Sequence, residues 1–234
     1  MALLDTESPL MEKLTKVSDY IIINALTILF CIPVITAGAG MTALHYCALK
    51  LYRDEETFIT KMYFKSFKEN FKQATAIWLI LLGVLVVLGL DYLLMYMNPT
   101  ALSGYISIVL LVIAVLDVFT MVTVFPVLSK FCNTVPRTIK TALLLSVRNF
   151  HKSAVLAVLT VLPPVLAVRF YSAFPLFMVV WFSLPAFLTA KFYSHVFKRY
   201  EDKYFETHEK EDLSADDEHI FSDEPMISDM NKEI

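Results

Sequence analysis

Five stretches of this chain are apolar for long enough to cross the hydrocarbon core of a lipid bilayer, which takes about 20 residues of α helix. They cover about residues 17–36, 76–97, 106–128, 154–173 and 175–193. Of the 234 residues, 57% are hydrophobic and only 18% are charged, which is more apolar surface than a water-soluble domain of this length buries. The predicted fold class is therefore all-α, a polytopic membrane helix bundle with about five transmembrane helices.

The charge and the apolar stretches together divide the chain into three parts. Residues 1–200 carry 17 basic and 10 acidic groups, whereas residues 201–234 carry 3 basic and 13 acidic groups. We therefore distinguish an amino-terminal arm at 1–16, a transmembrane bundle at 17–200 and an acidic tail at 201–234. The tail is poor in large apolar residues and is predicted to be disordered on its own.

Lysine and arginine are concentrated in alternate connections, at 50–73, at 129–153 and after the last apolar stretch. By the positive-inside rule these connections face the cytoplasm, and the uncharged connections at 98–104 and 172–175 face outside. We expect a multi-pass protein of the cell membrane with a cytoplasmic carboxyl terminus. Five spans would then put the amino terminus outside.

The first apolar stretch leaves two questions open. Lys13 and Lys16 precede it and favour the cytoplasmic side, against the orientation that five spans imply. After it, residues 41–51 form a second helical pattern that is too short to cross the bilayer. This pattern either continues the first span at an angle or lies partly re-entrant.

Two basic connections are predicted to form amphipathic interfacial helices, which we call elbow helices. In 50–73 the lysines alternate with aromatic residues spaced three and four apart, and a similar basic segment at 140–152 precedes the fourth span. Such helices would be held in the interface in two ways. Their aromatic rings would lie among the acyl chains, and their ammonium groups would contact anionic headgroups. The candidate residues for contact with lipid or a partner are Lys65, Lys68, Lys72 and Arg148.

Three charged side chains fall inside predicted spans, where an unpaired charge costs a few kcal/mol. Asp91 and Arg169 have similar outward depths, so we expect either an ion pair or two side chains that extend separately to the interface. Asp117 lies near the middle of the third span. It is either functional or protonated and hydrogen-bonded to backbone carbonyls freed by Pro163 and Pro164.

The acidic tail contains two similar motifs, which begin at Ile220 and at Met226. Small apolar residues in an acidic segment suit a linear motif that binds a basic groove on a partner. Phe221 and Ile227 are the candidate contacts. The alternative is a solvated tail that its own charge keeps away from an anionic membrane.

The sequence contains no phosphate-binding glycine loop, no HExxH zinc motif and no GxSxG nucleophile motif. We therefore predict that the protein is not an enzyme and has no catalytic residue, cofactor or metal site. The three cysteines are far apart and are predicted to be free thiols. The basic connections flank spans, so we assign them to the lipid bilayer and not to nucleic acid.

Four motifs follow one another in the first third of the chain, CIPVITAG at 31–38, TAL at 42–44, DEE at 54–56 and FKENFKQA at 67–74. In this order they resemble the YesL family of bacterial integral membrane proteins, and the likeness covers most of residues 10–200. Genes of that family often lie beside those of carbohydrate ABC transporters and glycan-degrading enzymes, especially in Gram-positive bacteria. The resemblance implies an accessory role in sugar uptake and supplies no catalytic residue.

The leading hypothesis is a non-catalytic accessory membrane subunit that binds the permease and ATPase subunits of a carbohydrate ABC importer and modulates its assembly or activity. The alternative is a small oligomeric transporter with a polar path near Asp91 and Asp117. A transporter should enclose a polar cavity near Asp117. A partner-binding subunit should instead present a face rich in small or aromatic residues at the level of the lipid.

Overall fold

The computed structural model describes residues 9–55, 58–98, 103–131, 134–169 and 182–212. These residues form seven α helices and one short 3-10 helix and contain no strand, which confirms the all-α prediction. The helices are α1 (Pro9–Cys31), α2 (Ala37–Tyr52), α3 (Ile59–Met97), α4 (Ser103–Lys130), α5 (Val135–Arg148), α6 (Phe150–Arg169) and α7 (Ser183–Asp212), with the 3-10 helix at Val34–Thr36. The predicted turn at 172–175, the start of the predicted fifth span and the tail beyond Asp212 lie outside the described residues.

The helices have the composition of membrane-spanning segments. Within the described ranges, three are long and apolar enough to cross a bilayer, at Leu14–Cys31, Ile59–Met97 and Gly104–Lys130. A fourth candidate is the pair formed by α5 and the first part of α6, which meet at a bend of 105°. Large apolar side chains are exposed along α1, α3 and α4, and only a lipid solvent accommodates so much apolar surface. The protein is therefore a membrane protein with three or four candidate spans in the part that the structure describes.

α1 and α2 form an antiparallel helical hairpin. The break between them contains Pro33, which cannot donate a backbone hydrogen bond. The Tyr20 hydroxyl donates to the carbonyl of Ala48 at 3.3 Å, and Lys16 Nζ lies 2.6 Å from Asp54 Oδ1. The chain thus returns along α1 instead of continuing it. These contacts put Lys16, near the start of α1, beside Asp54 just after α2, although the apolar stretch between them was predicted to cross the membrane. The side on which the amino terminus lies stays a prediction.

α2 lies at the centre of the bundle and packs against α1, α3, α4 and α7. Most of its residues are buried, and the sequence that begins Ala37-Gly38-Ala39-Gly40 supplies the small side chains that let the neighbouring helices approach closely. At Gly38 an added Cβ would lie 2.6 Å from the carbonyl oxygen of Ala74 and 2.6 Å from the Cβ of Trp78. The backbones of α2 and α3 therefore contact each other at a site that only glycine fits.

α3 is longer than the hydrocarbon core of a bilayer is thick. Its 39 residues extend about 58 Å, against about 30 Å for the core. The carboxyl-terminal half exposes apolar residues such as Val86, Leu90 and Leu94, whereas the amino-terminal half carries the lysines. The carboxyl-terminal half is suited to lipid, and the whole helix is too long to lie within the hydrocarbon core along the bilayer normal.

The first predicted elbow is therefore not a separate interfacial helix. Residues 59–73 are the first turns of α3, and their aromatic side chains contact protein. Tyr63 is fully buried, and the ring of Phe67 lies 4.4 Å, centroid to centroid, from the ring of Phe30 in α1. The segment is amphipathic as predicted, but Tyr63 and Phe67 pack against protein and not among acyl chains, whereas Phe58 and Phe64 are 72% and 38% exposed.

α3 and α4 form a second antiparallel hairpin, whose outer end carries exposed tyrosines. Tyr92, Tyr96 and Tyr105 are 56%, 78% and 77% exposed, as expected of the aromatic belt at a membrane–water interface. From Lys72 to Tyr96 the helix rises about 36 Å, which matches the hydrocarbon core with part of its interfacial regions. The hairpin thus has the length and the ends of a membrane-crossing unit.

The second predicted elbow is a separate helix, α5. Thr138, Ala142 and Ser146 are buried, and Leu144 and Val147 are exposed on the other side. The buried side contacts α4, where the Thr123 hydroxyl donates to the carbonyl of Ala142 at 3.1 Å. The bend of 105° between α5 and α6 allows α5 to lie in the interface while α6 crosses the bilayer.

Candidate functional site

Four lysines form a continuous face on the amino-terminal half of α3, which we call the lysine face. Lys61, Lys65, Lys68 and Lys72 are spaced four, three and four residues apart, so their side chains leave the helix on one side. All four are exposed, and Glu69 is the one carboxylate between them. The face extends about 16 Å along the helix and offers a row of ammonium groups to an acidic surface.

The opposite side of the same turns is anchored in protein. The Tyr63 hydroxyl donates to the carbonyl of Gly40 in α2 at 3.2 Å and lies 3.1 Å from Thr27 Oγ1 in α1. Phe30 stacks on the ring of Tyr63 with centroids 6.1 Å apart. Three helices therefore meet at Tyr63, and this junction holds the lysine face at a defined angle to α1 and α2.

A second junction links α1 to α7. Asn24 is 2% exposed, and its Oδ1 accepts hydrogen bonds from the backbone N–H groups of Phe182 and Ser183 at 3.1 and 3.3 Å. These N–H groups stand at the start of α7, where a helix lacks partners of its own. No functional role was predicted for Asn24 or Thr27, although two polar residues three positions apart in an apolar stretch are a signal of a buried contact.

The two intramembrane aspartates lie in different surroundings. Asp117 in α4 is 8% exposed, and its Oδ2 atom is buried with no hydrogen-bond partner among the described residues. Asp91 in α3 is exposed. Contacts of Trp78 with Phe125 and of Met95 with Ser107 set the register of the hairpin. In that register Asp91 is opposite residues 111–112, about 8 Å along the axis from Asp117, so the structure does not bring the two carboxylates together.

The other predicted site residues are dispersed. Arg169 is the last residue of α6, and its side chain lies outside the described residues, so the Asp91–Arg169 ion pair stays a prediction. Arg148 is exposed in the last turn of α5, far along the sequence from the lysine face. Phe221 and Ile227 lie outside the described residues.

α2 carries two chemically reactive side chains, His45 and Cys47. His45 is half-buried, and its Nδ1 atom is buried without a hydrogen-bond partner in the described part of the chain. Cys47 is fully buried, and its sulfur lies 3.9 Å from the carbonyl oxygen of Ile59.

These features define a class of protein, a helical membrane protein with a cationic helix face held beyond its apolar hairpin. Residues 20–92 match the family model described as "Protein of unknown function, DUF624". The match contains the second half of α1, all of α2 and most of α3, and it is consistent with the resemblance to the YesL family, which is densest in the first eighty residues. No curated protein and no solved structure matches the chain.

Proposed function

We propose that the protein is a non-catalytic accessory subunit of the cell membrane that binds the permease and ATPase subunits of a carbohydrate ABC importer and modulates its assembly or activity. The observation that carries the proposal is the lysine face. It lies on the amino-terminal half of α3, before the apolar half of the helix, and all four of its lysines are exposed. Such a surface is suited to a complementary acidic surface on another protein, which gives specificity and fast association.

The proposed orientation puts the lysine face in the cytoplasm, where the positive-inside rule places it. α3 then runs outward and α4 returns, α6 runs outward, and α7 runs back to the cytoplasmic side. The α1–α2 hairpin begins and ends on the same side. Both termini are then cytoplasmic, so an importer's ATPase subunit has access to the lysine face and to the acidic tail.

The link to sugar import comes from the resemblance to the YesL family, whose genes often lie beside those of carbohydrate ABC transporters. The structure adds a surface on which such an association can form. The exposed apolar hairpin of α3 and α4 offers a second surface at the level of the lipid, where a permease would lie beside it.

Affinity purification in mild detergent, followed by mass spectrometry, tests the proposal. The wild-type chain should recover a permease and an ATPase of one carbohydrate importer. Replacement of Lys65, Lys68 and Lys72 by glutamine should reduce recovery of the ATPase severalfold. The matched control replaces the exposed lysines at 140, 191 and 198, which removes the same charge from other helices.

Recovery of no importer subunit by the wild-type chain would overturn the proposal. Equal losses in both triple variants would show that net charge matters and the lysine face does not. Deletion of residues 213–234, which removes Phe221 and Ile227, should weaken the association without abolishing it if the tail is a second contact.

The alternative function is a small oligomeric transporter, and one observation favours it. Asp117 is buried in a candidate span with an unpartnered carboxyl oxygen in the described structure, which is costly without a function or a neutral carboxyl group. Flux of a sugar into vesicles that contain the purified protein, lost on Asp117→Asn, would support it. Because Asp91 is exposed and distant, Asp91→Asn should leave such flux unchanged and serves as the control.

A further inference from the structure

A cavity of about 150 Å³ lies between α4, α5 and α7, apart from the lysine face. One side of α5 lines it with Thr141, Leu144, Leu145 and Arg148, whose spacing puts them on one helical face. Arg148 is the one charged residue among the described lining residues, and no carboxylate in the described part of the chain forms an ion pair with it.

The other walls are apolar. Val127 of α4, Phe131 directly after α4 and Phe197 of α7 are all buried, and the two phenyl rings meet edge to face with centroids 5.4 Å apart. An apolar cavity of this volume is large enough for a benzene-sized group. Several methylene groups of a hydrocarbon chain would therefore fit between these side chains.

The mouth of the cavity is on an apolar surface. Leu144, which lines it, is 53% exposed, and the neighbouring Leu143 and Val147 on α5 are 36% and 54% exposed. α5 follows α4 directly and precedes the bend into α6, so it lies at the end of two candidate spans. Lipid molecules are the apolar ligands available at such a surface, and basic pockets between membrane helices bind anionic headgroups.

We propose that this cavity binds one acyl chain of an anionic glycerophospholipid, with the Arg148 guanidinium hydrogen-bonded to the phosphate. The planar guanidinium presents two parallel N–H donors that match phosphate oxygens. The buried phenyl rings and Val127 contact the acyl chain, and the exposed leucines of α5 lie among neighbouring lipids. A zwitterionic lipid fills the same cavity but interacts less with Arg148, because its own cationic group neutralises the phosphate.

Native mass spectrometry of the full-length protein in detergent, with added phosphatidylglycerol or phosphatidylcholine, tests the site. Wild type should bind phosphatidylglycerol roughly tenfold more tightly, as one charge-assisted hydrogen bond allows. Arg148→Gln should remove this preference. Leu144→Trp, which fills the mouth, should lower the affinity for both lipids.

Lys140→Gln is the matched control, because Lys140 is an exposed cation of α5 that does not line the cavity. It should retain the preference for phosphatidylglycerol. Equal effects of Arg148→Gln and Lys140→Gln would overturn the proposal in favour of diffuse attraction to the basic helix. Unchanged lipid binding in Leu144→Trp, or displacement of the lipid by millimolar inorganic phosphate, would overturn it as well.

Discussion

Lys16 Nζ lies 2.6 Å from Asp54 Oδ1, although the two residues stand on either side of an apolar stretch that was predicted to cross the membrane. The side chains are 37% and 63% exposed, so the ion pair contributes little to stability. Its value is topological. It shows that the start of α1 lies beside the end of α2. Lys13 and Lys16 can then lie on the same side as the basic 50–73 connection, as the positive-inside rule favours.

The side on which Lys16 lies can be measured by cysteine labelling. In a chain whose native cysteines are replaced by alanine, single cysteines at Thr15 and Lys65 should react with a membrane-impermeant maleimide only after the cells are permeabilised. A cysteine at Gly104, at the tip of the α3–α4 hairpin, should react in intact cells. Labelling of positions 15 and 65 from opposite sides would contradict the α1–α2 hairpin.

Gly38→Ala should destabilise the protein by about 1–3 kcal/mol, because the new methyl group would meet the backbone of α3 at 2.6 Å. The measurement is thermal unfolding of the purified protein in detergent. Gly83→Ala is the control, since an added Cβ there meets nothing within 4 Å. A melting temperature of Gly38→Ala at or above that of Gly83→Ala would show that α2 and α3 are not in close contact.

Tyr63→Phe should cost about 1 kcal/mol, because it leaves the Gly40 carbonyl and the Thr27 hydroxyl without their shared partner. Thr27→Val should couple to it, so that the double variant loses less than the sum of the two single losses. Tyr105→Phe, at an exposed tyrosine, should have no effect on the melting temperature. If the two single losses of stability simply add in the double variant, the side chains of Tyr63 and Thr27 do not interact.

The sequence by itself determined that lipid surrounds much of this protein and that the chain forms helices there. Apolar composition and length predicted helices in lipid, and helical spacing alone puts the lysines at 61, 65, 68 and 72 on one face. The second elbow followed from the same reasoning, because α5 is short, amphipathic and bounded by a bend.

Only the tertiary structure decided which apolar and polar residues meet protein. Hydropathy cannot separate a ring in lipid from a ring in a helix interface, because acyl chains are as apolar as leucine. Phe67 reaches Phe30 and Tyr63 reaches Thr27 across more than thirty residues of chain. The return of α2, the junction at Tyr63 and the cavity beside Arg148 depend on such distant contacts, which no local pattern records.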